Sequence, residues 1–255
     1  MWCIGVLSEE YRRRMYTLLE LYARPLSRTE PVICIDEKSL QLIGHSRKPL
    51  PMTESAPAKQ DYEYERNGTT NLFVAVEPKA GQRIVSVTEH RGKADFVAFV
   101  GALLTNAYAK ARCVHLVLDN LNIHFRKCFD DVLGTRAAAK LLRRVEFHYT
   151  PTHASWLNMA EIEIGILSRQ CLNRRIDSRQ LLRSEVAAWQ QRATLWSAPS
   201  SGSSPDRMQI KSSADITFRN LHVDVLVRKA QRARTSRDGP TRLATAPLLR
   251  ASALQ

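Results

Sequence analysis

The chain of 255 residues lacks any run of about eighteen consecutive apolar residues, so no membrane-spanning helix is expected. It also lacks a basic start followed by an apolar stretch and a small-residue cleavage site. "MWCIGVLSEEYRRRMYTLLELYARPL" is therefore no secretory leader. Cysteine is scarce and badly placed for pairing: Cys3, Cys34, Cys113, Cys128 and Cys171 are odd in number, scattered and free of any C-x-x-C pair. That pattern argues against a disulfide framework and against a zinc site, and it fits reduced thiols in a cytoplasmic protein. Glutamate is absent from Gln191 onward, where eleven Lys/Arg against four Asp leave a net charge of +7. Every glutamate thus lies in residues 1–190, and the character of the chain changes near that point.

What is present is an apolar share of 44%, enough for a packed core, and a formal charge of +13 with a pI near 9.9. An excess of Lys and Arg suits a polyanionic partner, because each neutralised phosphate releases counterions. A generally basic protein without such a partner fits the charge equally well.

Apolar spacing at Met15, Leu18, Leu19 and Tyr22 predicts a helix over 9–22, ended by Pro25. "PVICIDEKSLQLIG" reads as a buried strand, and the Pro-rich 46–62 segment as an exposed loop. "GTTNLFVAVEP" and "QRIVSVTEH" follow as strands joined by a "KAG" hairpin turn. An amphipathic helix is expected over 93–110, then a strand "CVHLVLDNL". Helical matter broken at Gly134, a strand "VEFHYTP" and a helix over 155–173 complete the order. Together these predict one α/β domain on a mixed sheet. From about Arg192 the text turns to Ser, Arg, Ala and Pro without periodicity and reads as a disordered basic tail.

Three acidic positions stand out by context. Asp36 interrupts "VICI" and Asp119 ends "HLVL", where a charge is costly unless paired or bound to metal. Glu161 or Glu163 opens the helix after the last strand. Carboxylates from two strands and a following helix can converge at one sheet edge, and such hard oxygen ligands suit Mg²⁺ or Mn²⁺. Taken singly, each has a plainer reading: a loop starter at Asp119, half of a salt bridge at Asp36, a favourable helix-dipole charge at the glutamate. Asn120, Asn122 and His124 in "LDNLNIH" could orient a metal-binding Asp or serve turn chemistry. His148, inside an apolar strand, reads as a satisfied core histidine. Two residues apart, Glu161 and Glu163 flank the apolar stripe of Leu157, Ala160, Ile164, Leu167 and Cys171 on opposite sides. Glu161 adjoins the small, polar Asn158, Gly165 and Ser168, which mildly favours it; Glu163 reads as a solvated surface acid.

"VICIDEKSLQLIG", "DYEYERNGTTNLFVAVEP", "LVLDNLNIHF" and "FHYTPTHASWLNMAEIEIGILSRQCLNRR" resemble, in that order, the catalytic domain of bacterial insertion-sequence transposases of the DDE type in the mariner superfamily. The resemblance spans roughly residues 1–192. It implies an RNase H-like fold, a five-stranded mixed sheet flanked by helices, with residues 31–192 as the catalytic domain, 1–30 as a helical lead-in and 193–255 as the tail. It also implies metal-dependent cleavage and strand transfer at the ends of a mobile DNA element. The family acids fall on Asp36, Asp119 and Glu161, which would bind two Mg²⁺ or Mn²⁺ ions. Asn120, Asn122, His124 and Asn158 would support them, with Ser155 and Trp156 shaping the approach. Arg66, Lys127, Arg143, Arg144, Arg174 and Arg175 are candidates for contact with the DNA backbone. The implied partners are double-stranded element ends and target DNA, held by a homodimer, in the bacterial cytoplasm at the nucleoid.

The chain departs from the family in starting almost at the catalytic domain, without the helix-turn-helix region of full-length relatives. After "AAWQQR" the family's ending is replaced by "ATLWSAPSSGSSPDRMQ", which reads as an out-of-frame translation. An inactive remnant that only occupies DNA, and an RNase H-like nuclease without strand transfer, are the competing expectations.

Overall fold

Apolar, β-branched runs set the first strands of the computed structural model, which describes residues 8–197. β1 (Val32–His45), β2 (Tyr64–Glu77) and β3 (Gln82–Thr88) form an antiparallel meander. β4 (Val114–Leu118) and β5 (Val145–Tyr149) then add in parallel beyond β1, giving the order β3-β2-β1-β4-β5. The expected mixed five-stranded sheet is therefore present. The β1–β2 pair is irregular beyond Gln41, where Asn67 and Gly68 of β2 stand opposite Leu42. Gly68 takes φ 92°, a left-handed conformation that glycine adopts without a Cβ clash.

Helices cover both faces. On one face lie α2 (Lys93–Ala102), α3 (Lys127–Leu133) and α4 (Thr135–Leu142). Phe96, Val100, Phe129 and Leu142 pack there against Ile33, Ile35, Phe73, Leu116 and Leu118. On the other lie α1 (Glu9–Ala23), α5 (Met159–Gln170) and α6 (Arg179–Ser197). Leu18, Tyr22, Leu157 and Ala160 close over Cys34, Val76 and Val117. Leu167, Leu182, Val186 and Trp189 close over Leu42, Leu72 and Val74. Because side chains alternate along a strand, β1 sends Ile33 and Ile35 to the first face and Cys34 to the second.

Two helices are shorter than their periodicity suggests. The expected 93–110 helix stops being α at Ala102 and widens into one π turn, Leu103–Ala107, closed by Tyr108 N donating to Leu103 O at 2.9 Å. The expected 155–173 helix begins as a 3₁₀ turn, Ser155–Leu157. Its α portion starts only at Met159, because the Asn158 side chain accepts from Ala160 N and caps it. α6 runs on to Ser197; the expected tail beyond it, and Cys3, lie outside the described residues. Among the described residues, no helix is long and apolar enough to cross a membrane.

Candidate active site

The parallel register pairs Val32 with His115, Ile33 with Leu116 and Cys34 with Val117. Continued two residues further, it sets Asp36 level with Asp119, just past the end of β4. α5 brings the third acid. Asn158, fully buried, donates from Nδ2 to Ile35 O at 2.9 Å, so the start of α5 is tied to the residue before Asp36. One turn later Glu161 stands exposed. The loop delivering this helix is strained: His153 sits at φ 62°, the only left-handed non-glycine among the described residues.

The three acids also feel one another's charge. Asp36 is pushed up to about 7, first by burial. The Glu37 amide donating to Oδ1 at 2.8 Å opposes that rise, while the negative charges of Glu37, Asp119 and Glu161 add to it. A carboxyl raised by its burial and further by three neighbouring carboxylates lies in a site short of positive charge.

His124 supplies part of what is missing. Its ring is fully buried, with Nε2 2.6 Å from Glu37 Oε1 and Nδ1 2.6 Å from Asp119 Oδ1. Burial alone would lower its pKa, but the Asp119 and Glu37 carboxylates outweigh it and hold it near 9. Asp119 shows the complementary effect: burial would raise it, yet the His124 bond, helped by the Leu121 amide and Arg91, keeps it low. The imidazole therefore clamps Asp119 from behind. It packs against Phe96, with ring centroids 4.9 Å apart. Asn120 holds the same strand end, donating to Thr150 O at 2.7 Å and accepting from Arg14 at 3.1 Å. Asn122 is exposed, with its carbonyl accepting from the Cys128 thiol.

The stretch that holds Asp36 inside β1, Asp119 just past β4 and Glu161 on α5 falls within a match to a family model described as DDE superfamily endonuclease, over residues 31–183. The chain belongs to the DDE superfamily of endonucleases. Among solved structures it is similar to the Mos1 mariner paired end complex with Mn, at 16% identity and TM-score 0.52, covering 92% of this chain and 65% of that one. The Mos1 Strand Transfer Complex matches at 17% identity and TM-score 0.54, covering 92% and 64%. These likenesses establish the RNase H-like fold, and the chain spans about 65% of the length of the first of them. Comparison with curated proteins gives no match.

Two residues of the DDE domain do not stand where the sequence places them. Glu163, expected as a solvated acid, is 2% exposed, and its Oε1 lies 2.9 Å from Nε of the equally buried Arg83 on β3. Arg83 in turn lies over the Trp189 ring of α6, 5.6 Å from its centroid. A helical wheel shows only one helix, and the partner comes from a hairpin about eighty residues earlier. Arg144, expected among DNA-contacting residues, turns inward to donate to the carbonyls of Leu104, Tyr108 and Ala111, satisfying the end of the π turn. Of the other basic candidates, Arg175 bonds to the carbonyls of Asp61, Tyr62 and Glu63, and Arg174 pairs with Glu185. Arg66, Lys127 and Arg143 are exposed.

Glu37 is the member of the site that sequence reasoning missed. Its signal was present: a second acid directly after Asp36, pointing to the face that also carries Ile33 and Ile35.

Proposed function

We propose that this DDE domain is the catalytic domain of a transposase of the mariner superfamily, which cuts DNA at the ends of a mobile element and joins the freed 3′ ends to a target. The observation that carries the reading is the placement of the three acids: the β1–β4 register sets Asp36 level with Asp119, and the Asn158 bond to Ile35 O ties the start of α5, one turn before Glu161, to the same strand. Three carboxylate donors with surplus negative charge fit hard divalent cations, and Asp36, Asp119 and Glu161 would hold two ions of Mg²⁺ or Mn²⁺. Such ions, when bound, polarise the phosphodiester and neutralise charge on attacking and leaving oxygens. The chain's own part is positioning. His124 and the Leu121 amide fix the Asp119 carboxylate, and Asn158 locks the first turn of α5 to β1 so that Glu161 stays at the sheet edge. Exposed Arg66, Lys127 and Arg143 would meet the DNA backbone, with Trp156, 46% exposed, beside the start of α5. Paired element ends held by a homodimer complete the proposal.

The test is DNA nicking and joining with Mn²⁺, using plasmid DNA and a donor duplex with a free 3′-hydroxyl. Wild type is expected to nick and to join. Glu161→Gln is expected to lose on the order of 10³-fold in rate, the equivalent of several kcal/mol of charge stabilisation. A Glu161→Gln variant that cuts as well as wild type overturns the third acid. Nicking without joining replaces the transposase reading with a nuclease, and DNA binding without cutting by either protein replaces it with an inactive remnant.

A further inference from the structure

A second group of ligating side chains sits on the same strands, away from the three acids. β4 is preceded by Cys113 and carries His115; β5 carries Glu146 and His148. Within each pair the residues are two apart, and the register sets His115 beside Glu146 and Val117 beside His148. Strand alternation therefore turns all four toward one face, the face that holds Val117 under α1. The ligand atoms are already close. His115 Nδ1 lies 3.1 Å from His148 Nε2 and 3.2 Å from Glu146 Oε2, and His148 Nε2 lies 3.9 Å from Glu146 Oε2. Cys113, His115 and Glu146 offer ligand atoms all within 4.8 Å of one another.

The 3.1 and 3.2 Å separations lie close to the edges of a tetrahedral ion, while Glu146, 3.9 Å from His148, and the Cys113 thiol have to close in on a bound cation. Zinc–nitrogen and zinc–oxygen bonds of about 2.0–2.2 Å give edges of roughly 3.3–3.5 Å between neighbouring ligands. Arg24 opposes a cation here, with its guanidinium 3.3 Å from His115 Nε2. It is exposed, and it must turn outward when Nδ1 takes a metal and Nε2 carries the proton.

We propose that Cys113, His115, Glu146 and His148 form a binding site for a zinc-class divalent cation that clamps edge strand β5 to β4. Its mixed thiolate, imidazole and carboxylate donors select Zn²⁺ or Co²⁺ over Mg²⁺, unlike the all-oxygen trio. The two sites use different side chains: His115 is four residues from Asp119 on an extended strand, about 13 Å at ~3.3 Å per residue, and His148, beside Val117, is roughly 8 Å away on the neighbouring strand. The lack of a C-x-x-C pair is no obstacle, because strand pairing does the work that short sequence spacing does in a paired-cysteine site.

Co²⁺ titration of the full chain, followed by its visible spectrum, tests this. The expected result is a tetrahedral d–d band with thiolate-to-cobalt charge transfer, displaced by Zn²⁺. Cys113→Ser should abolish the charge-transfer band. His148→Ala should weaken Co²⁺ binding at least tenfold, the lower end of what even outer-shell changes cost. Zn²⁺ should raise the melting temperature of wild type more than that of either variant. Glu161→Gln should leave the spectrum unchanged. The proposal falls if no tetrahedral band forms, if the band survives both substitutions intact, or if Glu161→Gln removes it. Cys113→Ser, at a partly exposed position and nearly isosteric, keeps the test valid should His148→Ala fold poorly.

Discussion

Replacing Glu163 by alanine takes away the carboxylate 2.9 Å from Arg83 Nε, while the guanidinium stays 5% exposed between β3 and α6. Removing one partner of a buried pair costs about 3–5 kcal/mol, because the remaining charge keeps its desolvation penalty. In a domain of this size each kcal/mol moves the melting temperature by roughly 2–4 °C, so a drop of about 6–20 °C is expected. Replacing both groups by apolar residues of similar volume, Arg83→Met with Glu163→Leu, should be close to neutral. Urea unfolding followed by tryptophan fluorescence is a fitting assay, since Trp189 lies against Arg83. Glu163→Ala, Arg83→Ala and their combination form a cycle, and the coupling should exceed about 1 kcal/mol. If Glu163→Ala costs less than about 0.5 kcal/mol, as an ordinary surface change does, the buried-pair account is wrong.

Asn158→Ala removes both the cap on Ala160 N and the bond to Ile35 O, and should cost about 1–3 kcal/mol in thermal unfolding. Asn158→Asp should restore the cap but not the donor; full restoration by Asp would refute the tie to β1. Glu77 is buried, and burial raises its carboxyl above the usual range even though Tyr108 bonds to it. A raised folded pKa means that wild type loses stability as pH climbs from the ordinary carboxylate range toward that higher value. Glu77→Gln should therefore equal wild type in acid and exceed it at neutral pH, and urea midpoints at the two pH values that differ by the same amount would contradict this.

The elements most legible in the sequence were those with a local cause. Runs of β-branched and apolar residues between turn signals marked β1 to β3, and Gly134, at φ 78°, does separate α3 from α4. Asp36 and Asp119 stood out because a charge in an apolar run needs a reason. What escaped were the contacts whose two halves lie far apart along the chain. Glu37 meets His124 across 87 residues, and Arg144 reaches a helix end about forty residues earlier. Glu163 was misjudged because its flank on the wheel looked like solvent and is in fact the underside of β3. Periodicity reports that a face is buried or exposed; it does not report which group lies opposite.

The irregularity opposite Leu42 divides the long β1–β2 ribbon into two sections of different freedom. On the near side, pairs from Cys34–Val76 to Gln41–Thr69 keep Asp36 aligned with Val74 and, through β4, with Asp119. On the far side, a residue gained or lost is taken up at Gly68, where the backbone already accommodates one extra. Insertions and deletions in the outer hairpin can accumulate over evolutionary time without shifting the acid-bearing segment by one residue, a shift that would turn Asp36 to the opposite face. The bulge thus insulates the chemistry from length variation in the outer ribbon, which is held separately by Ile43 N donating to Ile176 O and Asn67 to Asp177 O.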